Sequence, residues 1–533
     1  MQLATIDLVV IGSYGLFIFA LAQWVSREKD GRAKDSSDYF LASKSLPWWA
    51  IGASLIAANI SAEQIVGMSG SGYAIGLAIA SYEWMAALTL LIVGKYFLPI
   101  FLRNQIYTMP QFLEQRFGPN IRTIMALFWL TLYIFVNLTS ILWLGSLAVH
   151  TVAGVDQTTA LIALGGFALL YQLYGGLKAV AMTDIVQVSL LVMGGLLISW
   201  TTLSEIGGDQ GVIGGFSRLT TELSGHFEMI LHPDNPFYKD LPGISVLVGG
   251  MWIANLSYWG FNQYIIQRAL AARSLGEAQK GVVFAAFIKL LMPVIVVLPG
   301  IAAVVLAPDL ARPDEAYPTM MRLLPPGIMG LVFAALMAAV VASTASKINS
   351  IATIFTLDLY AKYRGQGSRV EDGERSATIG DERHLVLVGR ITAAIATIVA
   401  VATARPLLGK SDQAFQFIQE FSGFFTPGIT AIFLMGLFWK RASESGAMAA
   451  AVASVGGSYL VKILMPGLPF MNRMGVVFLI SLALGILVSL ARPAARGADR
   501  ITTEGVEFKT STAFNVAACI VLAILVVLYS VWW

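Results

Sequence analysis

Cysteine is almost absent: Cys519 stands alone in a C-terminal apolar run. One thiol supports neither a disulfide framework nor a cysteine-rich metal site. Histidine is nearly as scarce. His150, His226, His232 and His384 are far apart and make no ligand pair. Charge is in short supply as well. Asp, Glu, Lys and Arg make up 13% of the 533 residues, against roughly 25% in a soluble domain. So few charges cannot coat a water-facing surface, and most of the surface must face lipid. The formal net charge of +3 comes from scattered basic residues, which excludes a nucleic-acid groove. There is no nucleophile elbow and no phosphate-binding loop between a strand and a helix, so no enzyme chemistry is expected. No soluble signalling domain is present, which argues against a solute-sensing receptor.

What the chain has instead is apolar length. It is 57% hydrophobic, with a mean hydropathy of +0.72. A span needs about 20 mostly apolar residues. That rule gives about fourteen candidates: 5–25, 47–70, 76–102, 122–149, 157–174, 182–203, 244–266, 277–307, 326–361, 384–403, 412–439, 443–464, 474–491 and 512–532. The first stretch lacks a basic leader and is long enough to span, so it is expected to be a transmembrane helix, not a cleaved signal peptide. Placing the N-terminus outside puts twenty-three Lys and Arg in the inner loops, among them Arg27, Lys44, Arg116, Arg268, Lys362 and Lys509. Seven fall in the outer loops: Arg218, Lys239, Arg312, Arg322, Arg405, Lys410 and Arg473. That asymmetry is the positive-inside pattern, and missing one span would invert every later loop. A long outer loop at 204–243 is expected to hold a short helix near 216–231. A charged inner loop covers 362–383.

Two apolar spans carry related polar runs, Ala58-Asn59-Ile60-Ser61 and Ala254-Asn255-Leu256-Ser257. Trp and small residues precede both. They begin five spans apart, so the copies point in opposite directions, as in transporters built from inverted repeats. Polar groups at mid-membrane are costly unless paired. A helix broken at each run would free backbone groups, which is tolerated where the break lines a wet cavity. Interhelical hydrogen bonding that holds the bundle together is the plainer alternative. The sequons at Asn59, Asn137 and Asn255 lie within spans, so glycosylation is not expected there.

The chain resembles the solute:sodium symporter family, in its sodium/glucose cotransporter group, and within that the bacterial sodium/galactose symporters. The resemblance covers nearly the whole chain. It rests on DYFLASKSLPWWAIGASLIAANISAEQIVGMSGSGYAIGLAIASYEW (38–84), ANLSYWGFNQYIIQR (254–268), EAQKGVVFAAFIKL (277–290) and AFQFIQEF (414–421). It implies an all-α integral membrane protein with a five-plus-five inverted-repeat core, LeuT-like, whose first and sixth core helices are broken. The divisions would be 1–46 (an extra helix and inner loop), 47–240 (first repeat with its outer loop), 241–440 (second repeat) and 441–533 (three peripheral helices). It implies sodium-coupled symport of galactose or glucose into the cell. A sodium-independent or proton-coupled carrier of a sugar, cyclitol or nucleoside is the alternative. The expected setting is the cell's inner membrane, with both termini outside. The partners would be a sugar, sodium and lipid, with no cofactor, no nucleic acid and no obligate protein partner.

By the same resemblance Gln64, Glu83, Asn255, Lys289 and Gln419 match sugar contacts, Tyr258 an inner gate, and Met68, Tyr82 and Phe415 an outer gate. The residue types suit the task. Sugar hydroxyls both donate and accept, and buried amides and charges that pair with them reject analogues lacking the hydroxyl. Glu83 would repel an anion, which disfavours carboxylate solutes. Glu83 and Lys289 also read as a structural pair that neutralises both. Gln416 and Gln419 share a helix face. The family has a serine where this chain has Ala86, removing one sugar hydrogen bond. For sodium, a hard cation bound by oxygens, the resemblance implies the carbonyls of Ala57, Ile60 and Ala339 and the hydroxyl of Ser343. The family's second hydroxyl residue is replaced by Ala342. Lys347, one turn past Ser343, reads either as a lysine reaching toward the inner aqueous face or as an ammonium that competes with sodium. Asn59 belongs to the cation-side run. Asp184 matches an acid that accompanies a second sodium site in some members, or simply caps a helix.

Overall fold

The computed structural model describes residues 3–26, 47–106, 108–174, 177–363, 379–493, 501, 503 and 505–533. Side chains at 19, 22–26, 173–174, 177–184 and 379–383 are excepted. The loop 27–46, most of the loop 362–383 and the side chains of Lys178, Asp184 and Arg383 therefore lie outside what is described. The described residues are helical, without a strand. Helix α1 is Thr5–Ser26. A broken pair follows, α2 (Trp48–Asn59) and α3 (Glu63–Ala74), and then α4 (Leu77–Arg103), α5 (Pro119–Ala153), α6 (Gln157–Tyr174) and α7 (Leu177–Gly207). Beyond a short surface helix, Gly211–Glu222, come α8 (Gly250–Phe261), α9 (Gln263–Leu270), α10 (Leu275–Leu306), α11 (Ile328–Tyr363) and α12 (Ile379–Leu408). The chain closes with α13 (Ala414–Ser422), α14 (Thr426–Phe438), α15 (Glu444–Leu464), α16 (Phe470–Ala491) and α17 (Thr512–Val531). Among the described residues nine helices are long and apolar enough to cross a membrane, or up to eleven if each of two bent pairs is one span. Those pairs are α2–α3, bent by 66°, and α13–α14, bent by 47°.

Helix α10 is the central post. It packs against α2, α3, α4 and α7. Close approach is possible because small residues face each other, the usual device where no hydrophobic force drives helices together. A Cβ on Gly52 would lie 2.8 Å from the Gly281 carbonyl, and one on Gly300 would lie 2.1 Å from the Ser69 carbonyl. Gly72 meets the Val297 carbonyl in the same way. Gly76 has φ +95°. It turns the chain out of α3, and the backbone of His226 closes over it.

Two charged side chains stitch helix ends that lie far apart in sequence. Asp7 of α1 is fully buried. Its Oδ1 accepts from the Gly327 and Gly330 N–H groups at 2.6 and 3.0 Å, an anion set on the positive N-terminus of α11. Arg116 donates from Nε to the Gly436 carbonyl at 2.9 Å and from Nη2 to Trp439 at 2.9 Å. It thereby satisfies carbonyls that the C-terminus of α14 leaves without helical partners.

The two related runs behave differently. The first ends α2: Ile60 has φ −70° and ψ 107°, and α3 restarts at Glu63 as a π-helical turn. The second run does not interrupt its helix. Ala254–Ser257 lies inside α8, and the break falls at Asn262 (φ −84°, ψ 122°). Asn255 explains the continuity, because its Nδ2 donates to the Met251 carbonyl one turn back at 3.1 Å. A polar side chain satisfied within its own helix gives no reason to unwind. At Asn262 the Oδ1 instead takes the Tyr133 hydroxyl at 2.8 Å. The short outer helix also lies earlier than expected, at Gly211–Glu222.

Candidate functional site

Two cavities flank the broken end of α2. The larger, of about 1080 Å³, is lined by Asn59, Gln64, Tyr82, Glu83, Ala86, Asn255, Tyr258, Lys289, Phe415 and Gln419, with Trp129, Trp259, Asn262, Asn137, Met471 and Met474 among the rest. The five residues matched to sugar contacts therefore share one space, drawn from α3, α4, α8, α10 and α13. Met68 is fully buried but is not part of the cavity wall.

Lys289 organises the cavity. It is fully buried, which requires compensation for its charge. Its Nζ donates to Glu83 Oε2 at 2.5 Å and to Asn59 Oδ1, and it stands 5.0 Å from the Trp259 ring centroid. Asn59 is the hub. While its Oδ1 receives Lys289, its Nδ2 donates to the Tyr258 hydroxyl at 3.1 Å. Tyr258 in turn accepts from Tyr264 at 2.9 Å. The Asn59 side chain thus faces the larger cavity, not the cation side. Tyr82 and Phe415 meet edge to face, 5.1 Å between centroids, and so close another side of the space. The Gln64 carbonyl oxygen is buried without a hydrogen-bond partner. Buried polar atoms are normally paired, so this one is free for a ligand hydroxyl.

A second pair of opposite charges, the half-buried Glu63 and the buried Lys347, lies beside the first. Glu63, on the π turn that opens α3, accepts from Ser140 and from Asn137 at 3.5 Å. Lys347 is 3% exposed, so it does not reach the aqueous face. Its Nζ sits over the Tyr264 ring, 3.0 Å from the centroid, and 5.4 Å from that of Tyr133. No hydrogen-bond partner takes it among the described residues. Cation–π contact and the through-space field of Glu63 replace hydration. Lys347 does not line the smaller cavity described next.

That cavity, of about 190 Å³, is lined by Ala57, Ile60, Ala339 and Ser343 together with Gln187, Val188 and Ala342. All four residues matched to sodium ligands therefore surround one small space. The reason is local. Helix α2 ends at Asn59, so the carbonyls of its last turn lack the i+4 N–H of a continuing helix, and α7 packs against both α2 and α11.

Sequence reasoning missed Trp259, Asn262 and Asn137 as lining residues, although the first two sit in the quoted run 254–268 and Asn137 is a polar residue within a span. Nothing in the sequence marks Met471, Met474 or Gln187.

Residues 39–454 match the profile of the sodium:solute symporter family. The chain belongs to that family. Over its full length it is 50% identical to the sodium/glucose cotransporter of Vibrio parahaemolyticus, covering 99% of that protein. It is 34% identical to the bovine sodium/myo-inositol cotransporter 2 over 83% of this chain and 67% of the relative. The fold matches that of a sodium-coupled sialic acid symporter, with a TM-score of 0.75 at 23% identity over 92% of this chain and 99% of the other. It also matches, with a TM-score of 0.52, a nucleobase-cation-symport-1 family transporter at 12% identity, over 91% of this chain and 99% of the other. A symporter family accounts for the multiple apolar helices, and this chain is a membrane transporter, not an enzyme.

Proposed function

We propose that this symporter carries a hexose, galactose or glucose, into the cell together with sodium, by alternating exposure of one site to the two sides of the membrane. The observation that carries the reading is the buried Lys289–Glu83–Asn59 cluster, which opens onto the same cavity as Gln64, Asn255 and Gln419. An ammonium donor, a carboxylate acceptor and three amides match a ligand whose every hydroxyl both donates and accepts. The pair brings no net charge, which suits a neutral solute. Trp259 offers an apolar face for the sugar ring. Tyr82, Phe415 and Met68 form the outer gate, and Tyr258 the inner one. Sodium sits among Ala57, Ile60, Ala339 and Ser343.

The full architecture belongs to the same proposal. Of fourteen spans, ten form an inverted five-plus-five core at 47–440, one precedes it and three follow. Both termini lie outside the inner membrane, and no protein partner is required. A cyclitol is the second reading, because relatives at 34% identity are myo-inositol cotransporters and Ala86 leaves one side of the cavity without a hydroxyl.

Uptake by proteoliposomes tests both. Galactose, glucose and myo-inositol are offered under an imposed sodium gradient, a proton gradient or neither. Hexose accumulation driven by sodium alone is the expected result. Preferential myo-inositol uptake would shift the reading to cyclitols, and accumulation driven by protons without sodium would overturn the coupling.

A further inference from the structure

The smaller cavity contains a side chain that no family assignment above accounts for. Of the seven residues around it, only Ser343 and Gln187 carry a side-chain oxygen. Gln187 lies on α7, the helix that packs against both α2 and α11. It is 3% exposed and borders the cavity, and a buried amide needs something polar to pair its dipole with. That cavity is lined by Ala57 and Ile60 at the end of α2 and by Ser343, and also by Ala342, which stands where the resemblance implies a second hydroxyl residue.

We propose that Gln187 supplies the side-chain oxygen that position 342 does not, making the carboxamide of α7 a cation ligand in this chain. The assignment rests on the sodium-coupled reading above. An amide oxygen is a neutral, hard donor, like the carbonyls it joins, so the shell keeps its composition of dipoles. It also brings a third element into the site. The cation would then clamp α7 as well as α2 and α11, so its departure would release three helices.

The competing role for Gln187 is a stitch, with Nε2 donating to a carbonyl of α2. Two variants separate the roles. Replacing the amide with a carboxylate, Gln187→Glu, keeps an oxygen at the cavity and removes both donors. Gln187→Leu removes oxygen and donors alike. The measurement is the sodium activation curve of hexose uptake in proteoliposomes. Sodium-dependent thermal stabilisation of the purified protein without sugar is the second readout, with potassium as the control. The expected result is a rise of about tenfold in half-saturating sodium for Gln187→Leu, with the rate at saturating sodium retained. Adding Ala342→Ser to that variant should lower the value again, and Gln187→Glu should lower it below the parent's. A Gln187→Leu value within twofold of the parent's overturns the assignment. So does a Gln187→Glu variant that weakens sodium binding, an outcome that still decides the matter if the leucine variant fails to fold. A parent whose uptake ignores sodium would instead remove the reading on which the assignment rests.

Discussion

The two cavities beside the end of α2 are built from opposite materials. The larger is walled by side chains: a buried ion pair, six amides and a set of aromatic rings. The smaller is walled by backbone and small residues, with one hydroxyl and one carboxamide. The same few residues serve both. Asn59 sends its side chain to one space, while its neighbours Ala57 and Ile60 border the other. A broken helix end makes this possible, because unwinding separates the direction of the side chains from that of the carbonyls. The difference implies two modes of failure. Side-chain substitutions should disable the larger cavity outright, and the smaller one should only be tuned.

The largest effect is expected at Lys289. Lys289→Ala leaves the buried Glu83 carboxylate unpaired, a loss of about 3–5 kcal/mol, and removes a donor to the ligand. Uptake normalised to monodisperse protein should vanish, and Gln419→Ala should abolish it without affecting expression. Adding Glu83→Gln to Lys289→Ala should recover folding, read as thermal stability, without recovering uptake. Wild-type-like uptake by the single variants would break the contrast, since the larger cavity would then depend on no single side chain.

A smaller, graded effect is expected at the cation cavity. Ser343→Ala should raise half-saturating sodium by about tenfold, and Ala342→Ser in the parent should lower it, with sugar affinity at saturating sodium unchanged in both. Loss of all uptake in Ser343→Ala would show that the backbone does not hold the ion by itself.

The smallest effect concerns the loop before α11, which seals the bundle end near α3. Asp314 is buried against Gly70, and its Oδ2 accepts the Ala414 N–H at the start of α13 at 3.0 Å. Burial pushes its carboxyl up to about 7. A raised acid binds its proton more tightly in the folded state, so its contribution to stability is complete below about pH 4, the unfolded value, and is lost as pH rises through about 7. Thermal stability should therefore fall between pH 5 and pH 8 on the scale set by that shift. Asp240, pushed up to about 6 by burial and by Glu420, titrates in the same window, so the comparison must be with Asp314→Asn. That variant should flatten the decline, and an unchanged slope would exclude Asp314 as its source.

Much of this was legible beforehand, and the reason differs between the cavities. Lys289, Glu83 and Gln419 stand out as polar residues in apolar runs, so the sequence marks them wherever they fold. Gln187 also lies in an apolar run, but a lone amide in a span reads as ordinary interhelical glue. Only the packing of α7 against α2 and α11 gives it meaning. Lys347 is the reverse case. Its charge is conspicuous, and either a snorkelling lysine or a rival to sodium was a reasonable expectation. The structure turns it onto Tyr264, and rings from α5 and α9 flank its ammonium.

The paired Ala-Asn-x-Ser runs show where the boundary falls. By itself the sequence determined that the chain is helical and apolar over many spans, because hydropathy over about 20 residues is a local property. It also determined which polar residues those spans must satisfy. It did not determine where a helix breaks. Asn255 can satisfy itself on Met251 within one turn and leave its helix intact, whereas Asn59 is drawn to Lys289 and Tyr258 and is the last residue of its helix. The same short motif thus has two outcomes, chosen by partners about 200 and 230 positions away, and only the tertiary structure brings those partners within reach.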